Sequence, residues 1–310
     1  MAETSGISWT DATFNPVVGC TKVSAGCAHC YAERDFDKRR GFAKWGPHGT
    51  RVLTSAANWL KPVRWNEKQL DYKADNAKYR IIDANPFRVF TGSLCDVMET
   101  WDGPITNRSG EVVFFCPNGC IDGASASLSI ESFVCLFCGS RMLPMTYDDV
   151  RKRLFKLISE TNALTWLMLT KRIFNVPKYW PKREDGSPVK FGNVQLGTSI
   201  ENQETLGRAG YLINCTPYAE RLFVSAEPLL GPLTLGYWAK SRAIDWVIVG
   251  AESGPDRRPM ELSWARSLRD ECLENGIAFF MKQLAIDGQV TADVNKFPKD
   301  LRIQQFPGGR

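Results

Sequence analysis

Three cysteines near the start of the chain, Cys20, Cys27 and Cys30, follow one another as C-x6-C-x2-C. They come directly after an apolar stretch, 14–18, that reads as a strand. Thiolates are the standard ligands of iron–sulfur clusters, and three of them hold three irons of a [4Fe–4S] cluster and leave the fourth open. An open iron can chelate a small molecule, as an open zinc site binds water. The same cysteines also allow a zinc site, with His48 as a fourth ligand; His29 lies too close in sequence to join its neighbours on one ion. Cys27-x2-Cys30 alone further permits a redox pair.

A second group has a different spacing. Cys116 and Cys120 are separated by fourteen residues from Cys135 and Cys138, and Gly119 and Gly139 suit the tight turns that let four thiolates converge. Two short ligand pairs on two turns predict a structural Zn2+ site of zinc-ribbon type, with a second iron–sulfur cluster as the other reading. The segment is too short to bury a core of its own, so a metal staple accounts for it. The remaining three of the ten cysteines, Cys95, Cys215 and Cys272, are isolated.

The elements that must position these groups alternate. Short β-rich runs at 14–18, 88–91, 165–169, 194–197, 222–225, 246–249 and 278–281 are separated by helical patterns such as 32–40, 147–161 and 263–275. Strands alternating with helices predict an α/β fold with a parallel sheet. The residues that end these strands are polar: Gly92-Ser93, Thr170-Lys171-Arg172, Thr198 to Asn202, Ala226-Glu227-Pro228, Gly250 to Gly254 and Lys282-Gln283. In a barrel all of them fall on the C-terminal face, where sites are built. The expected organisation is a barrel of residues 1–102 and 145–286, an inserted cysteine-rich mini-domain at 103–144, and a loose polar tail at 287–310.

Composition sets the outer bounds. With 44% apolar residues among 310 a full core is possible. No apolar run is long enough to span a membrane, and the first residues carry no basic-then-apolar signal, so the expected compartment is the cytoplasm. Cysteine clustering there reads as metal ligation rather than disulfides. A net charge of +5 permits a phosphate-bearing partner without requiring one. Arg34, Lys38, Arg39, Arg40, Lys44 and Arg51, interleaved with Phe36, Phe42 and Trp45, read as a nucleic-acid face or as a solvated helix over a core.

The ordered motifs Thr13-Phe14-Asn15-Pro16, Gly19-Cys20, Gly26-Cys27, Cys30-Tyr31-Ala32, Leu169-Thr170-Lys171-Arg172, Leu196 to Asn202, Phe223 to Pro232, Trp246 to Gly254 and Phe279 to Gln283 resemble the phage and prophage three-Cys-motif family of unknown function. The layout is in turn similar to radical S-adenosylmethionine (SAM) proteins, whose usual spacing is C-x3-C-x2-C. This resemblance implies a partial (β/α) TIM-like barrel of radical SAM type with an inserted zinc-ribbon-like mini-domain. It also implies a [4Fe–4S] cluster, bound SAM and an electron donor; the Cys30-Tyr31 ending further resembles spore photoproduct lyase-like proteins, which points to nucleic acid or a nucleotide as substrate. Glu201, Ser225, Glu227, Glu252 and Ser253 are the residues placed to contact SAM; a buried cap or an ion pair with Lys171, Arg172 or Lys282 is the other role open to the carboxylates. A non-catalytic iron–sulfur and zinc protein that binds nucleic acid is the rival expectation.

Overall fold

The computed structural model describes residues 5–78, 86–119, 134–135, 137–286 and 288–308. They form a mixed α/β protein around a curled, half-barrel sheet of eight strands. Ala12–Phe14, Phe87–Thr91, Leu164–Thr170, Phe191–Ser199, Ala219–Ala226, Trp246–Gly250 and Ala278–Ile286 lie side by side in chain order, all parallel, and Gln289–Thr291 adds an antiparallel edge. Parallel neighbours need crossovers long enough to run back along the sheet. Lys61–Lys78, Tyr147–Glu160 and Leu262–Asn275 supply the longest of them.

Local chemistry explains where these helices begin and end. Thr146 and Asp149 cap the Tyr147–Glu160 helix reciprocally, satisfying backbone donors at its first turn. Val150, Leu154, Phe155, Leu157 and Ile158 then recur at helical spacing and are buried. The Leu262–Asn275 helix stops at Gly276, whose left-handed backbone is the common helix terminator.

Both faces of the sheet are packed. The larger core lies between strands and helices; a second cluster of Trp9, Phe90, Leu167, Phe223, Trp246, Ile248 and Phe280 fills the inside of the curl. Above this aromatic plug the inward positions turn polar: Ser199 and Ser225, then Glu201, Glu227 and Lys282. Strand side chains alternate with period two, so inward residues climb toward the C-terminal rim in this order.

Three expectations are revised. The run at 14–18 is two strands. Ala12–Phe14 joins the main sheet, whereas Val17–Val18 joins a small sheet with Arg51–Leu53 and Ile105–Thr106. The break falls at Asn15-Pro16, where the Asn15 side chain accepts from Leu94 N at 2.8 Å and donates to Ser93 Oγ at 2.7 Å. Because Ile105–Thr106 pairs with Arg51–Leu53, the first residues of the expected 103–144 unit are packed with the half-barrel. The segment after 287 is not loose where described. Phe297 and Leu301 are buried, Phe306 packs tilted against Trp246 and edge-on against Phe280, and Trp246 Nε1 donates to Gln305 O at 2.9 Å. Its few apolar residues are spaced to meet the sheet, which overrides its polar composition.

Candidate functional site

Cys20, Cys27 and Cys30 leave the small sheet on a loop that roofs the C-terminal rim of the half-barrel. Gly19 makes the turn into it with a left-handed φ of 124°, and its missing side chain leaves room for the Thr50 carbonyl. All three cysteines are partly exposed and line one cavity of about 380 Å³. Its opposite wall is the set of strand ends marked by the sequence: Lys171, Ser225, Glu227, Glu252, Ser253, Lys282 and Gln283 all line it. His48 is exposed and lies off this wall.

The loop is gripped from two sides. On one, the Glu201 carboxylate, itself buried, accepts from Ser24 Oγ at 2.8 Å, Lys171 Nζ at 2.6 Å and Arg208 Nη1 at 2.8 Å. Burial alone would raise the Glu201 carboxyl; Lys171 and Arg208 overcome this and hold it below its ordinary value. Gly26 is pressed against this carboxylate so closely that a Cβ would lie 2.4 Å from Oε1. On the other side, Glu252 accepts from Arg258 N at 2.8 Å, from Arg258 Nε at 2.9 Å and pairs with His29 Nδ1 at 3.1 Å. Burial again pushes this carboxyl up, and the Arg258 and His29 hydrogen bonds bring it down to about 2. Arg258 also reaches the loop backbone at Ala25 O, 2.9 Å away.

Behind Cys20 stands a buried charge wall. Arg172 donates to Asp96 Oδ2 at 2.8 Å and to Thr21 O at 2.7 Å, with Nη1 3.8 Å from Cys20 Sγ. Arg51 is fully buried, bonds both Glu99 oxygens at 2.7 and 2.8 Å and lies over the Trp101 ring. Arg51 is thereby removed from the basic face on which it was expected. Burial and the Asp96 and Glu99 carboxylates push the Cys20 thiol well up, against the pull of Arg172; burial also raises the Cys30 thiol. This wall was missed in the sequence, because Asp96, Glu99 and Arg172 meet only through the fold.

The five candidate contact residues separate by partner. Glu201 and Glu252 are occupied by cations and by the cysteine loop. Glu227 pairs with Lys282 at the cavity edge and occupies the space left by Gly250. Ser253 lines the cavity, and the Ser225 hydroxyl, fully buried beneath it, has no hydrogen-bond partner among the described residues. A buried unpaired hydroxyl is costly and calls for an explanation; a ligand in the cavity would supply one.

The second cysteine group is compact. Cys116, Cys135 and Cys138 place their sulfurs within 4.8 Å of one another and could hold a metal ion. Asn118 Nδ2 donates to Ser140 Oγ at 2.8 Å across the two turns. Gly119 and Gly139 both adopt left-handed φ, near 72° and 71°. Cys120, the fourth ligand expected, lies outside the described residues. Cys20, Cys27 and Cys30 do not gather within the same 4.8 Å limit.

Fold and site together define an α/β half-barrel protein with a cysteine-roofed cavity at its strand ends and a second, compact cysteine trio beside it. The chain belongs to the family described as "Protein of unknown function (DUF5131)", which it matches over residues 4–106 and 137–303. The unmatched stretch between them includes Cys116, Cys120 and Cys135. No curated protein and no solved structure matches the chain significantly. Among the described residues no helix is long and apolar enough to cross a membrane.

Proposed function

We propose that this protein is a radical SAM enzyme, of the kind found in phages and prophages, in which Cys20, Cys27 and Cys30 hold a [4Fe–4S] cluster. The observation that carries the reading is the unpaired Ser225 hydroxyl in a cavity roofed by the three cysteines. The cavity falls in the size range of small-molecule sites. The wide spacing of the trio favours a cluster over one zinc ion, because a cluster spreads its thiolates over separate irons.

A cluster held by Cys20, Cys27 and Cys30 would supply an open iron to bind SAM and, once reduced by one electron, the electron that cleaves the C–S bond of SAM. The chain's own residues do the rest. Ser225, Ser253 and the Glu227–Lys282 pair face the cavity and are the groups offered to the ribose hydroxyls and ammonium of SAM. Glu201 and Glu252 act one step back by fixing the cysteine loop through Ser24, His29 and Arg258. Cys116, Cys120, Cys135 and Cys138 hold a structural zinc. Nucleic acid or a nucleotide is the substrate class within this reading, on the strength of the Cys30-Tyr31 ending and its likeness to spore photoproduct lyase-like proteins.

Anaerobic reconstitution with iron and sulfide tests the proposal. About four irons per chain, and an electron paramagnetic resonance signal that changes when SAM is added, support it. Replacing Cys20, Cys27 and Cys30 with Ala should abolish the iron and leave the second metal. A protein that takes up one zinc at this trio and no iron refutes it.

A further inference from the structure

The three sulfurs of the cysteine loop do not share one environment. The Cys30 sulfur lies near the backbone N–H groups of Ala32 and Glu33. Cys27 Sγ is 3.9 Å from Ser24 Oγ, but the single proton of that hydroxyl goes to Glu201 Oε1, 2.8 Å away. Of the three, Cys20 is the one whose sulfur meets a cation in a hydrogen bond among the described residues: Arg172 Nη1, at 3.8 Å.

Arg172 is held where it is by a closed set of partners. Nη1 also donates to Asp96 Oδ2 at 2.8 Å, and Nη2 donates to Thr21 O at 2.7 Å and faces Glu99 Oε1 at 3.3 Å. Asp96 is fixed in turn by Thr170 Oγ1 at 2.6 Å and Met98 N at 3.0 Å, and Glu99 by Arg51. The neighbouring cations are turned elsewhere, Lys171 to Glu201 and Arg258 to Glu252. Arg172 and Asp96 are each 8% exposed and Glu99 is 2% exposed. Charges buried this deeply act strongly on one another and are little screened by salt. One guanidinium thus touches both a cysteine of the loop and two carboxylates that oppose its charge.

We propose that Arg172 is a positioning residue that holds the reduction potential of the cluster up through Cys20, and that Asp96 and Glu99 limit how far. The proposal rests on the iron–sulfur reading above. Cluster potentials follow net charge, hydrogen bonds to the sulfurs and exposure. Reduction adds one electron to the cluster, while no bond or proton moves. A guanidinium bonded to the Cys20 sulfur favours that added charge, and a carboxylate in the same wall disfavours it. Arg172 and Asp96 therefore act in opposite directions on the potential, although they are partners in one ion pair.

The experiment is a stepwise reduction with dithionite and redox mediators, read by electron paramagnetic resonance, on the reconstituted full chain. Wild type, Arg172→Gln, Arg172→Lys and Asp96→Asn are compared, and iron content and melting temperature are measured first. A wild-type protein without a cluster overturns the function and this inference together. With the cluster present, Arg172→Gln should shift the reduction equilibrium about tenfold toward the oxidised form, a potential lower by about 59 mV for one electron. Asp96→Asn should shift it toward the reduced form. Arg172→Lys keeps the charge and should move the potential less than Arg172→Gln does. Arg172→Gln and Asp96→Asn break the same ion pair, so a purely structural role would lower both melting temperatures without opposing the two potentials. Shifts in a common direction, or no shift with iron retained, overturn the proposal. So does loss of iron from all three variants, which would make the wall a scaffold for the loop.

Discussion

Adding one methyl group at Gly26 should loosen the cysteine loop, because that position is filled by a carboxylate that cannot move. A Cβ there would lie 2.4 Å from Glu201 Oε1, 2.6 Å from its Cγ and 2.8 Å from its Cδ. Real contacts are longer, so something has to shift. The carboxylate is pinned by Lys171 and Arg208 and by Ser24 on the loop itself. Overpacking of a filled site costs about 1–3 kcal/mol. If the carboxylate must release a charged partner, about 1.5–3 kcal/mol is added. At about 2–4 °C per kcal/mol for a chain of this order, the combined cost of about 2.5–6 kcal/mol means that Gly26→Ala should lower the melting temperature by about 5–24 °C. Iron retention should drop in parallel, since Cys27 is the next residue. The cause is isolated by a cycle: in a Glu201→Ala background the clashing atoms are gone, and Gly26→Ala should then cost less than about 0.5 kcal/mol. Thermal unfolding and iron analysis of the four proteins measure this. Equal cost in both backgrounds would refute the argument.

Three further outcomes are expected. Glu252 has a folded pKa of about 2, below its usual 4.5, so the stability it contributes is present above about pH 4.5 and is lost as pH falls toward 2; Glu252→Gln should flatten the decline of melting temperature over that window, and an unchanged slope would remove Glu252 from the account. Cys138→Ser should lower the bound metal by one ion per chain while iron is retained, and loss of iron as well would contradict two separate sites. Ending the chain after Lys296 removes the buried Phe297 and Leu301, worth about 1.5–3 kcal/mol each; a melting temperature lowered by less than about 2 °C would show that the segment's packing is incidental.

The order of strands was legible because parallel strands buried on both faces are continuous apolar runs, and runs such as Trp246–Gly250 end abruptly in polar residues. The extent of each strand was not: Phe191–Ser199 continues through Gly192 and Asn193, which carry no β signal and are held by the pairing of Phe191 and Val194 on either side and by the Asn193 bond to Ile158 O. Site residues were legible as types at strand ends. Their partners were not, since Ser24–Glu201 and His29–Glu252 join residues about two hundred positions apart. The same limit explains Arg51, whose basic neighbours in sequence pointed outward while Glu99 drew it in.

The central claim is that the cavity beneath Cys20, Cys27 and Cys30 binds and cleaves SAM. It is tested most directly by incubating the anaerobically reconstituted, reduced protein with SAM and measuring 5′-deoxyadenosine by chromatography and mass spectrometry. The account predicts 5′-deoxyadenosine and methionine in equal amounts from the wild type, less product at limiting SAM from Ser225→Ala, and none from the Cys30→Ala variant. A protein that holds its four irons and melts normally, yet releases no 5′-deoxyadenosine above the level of the Cys30→Ala control, would contradict it.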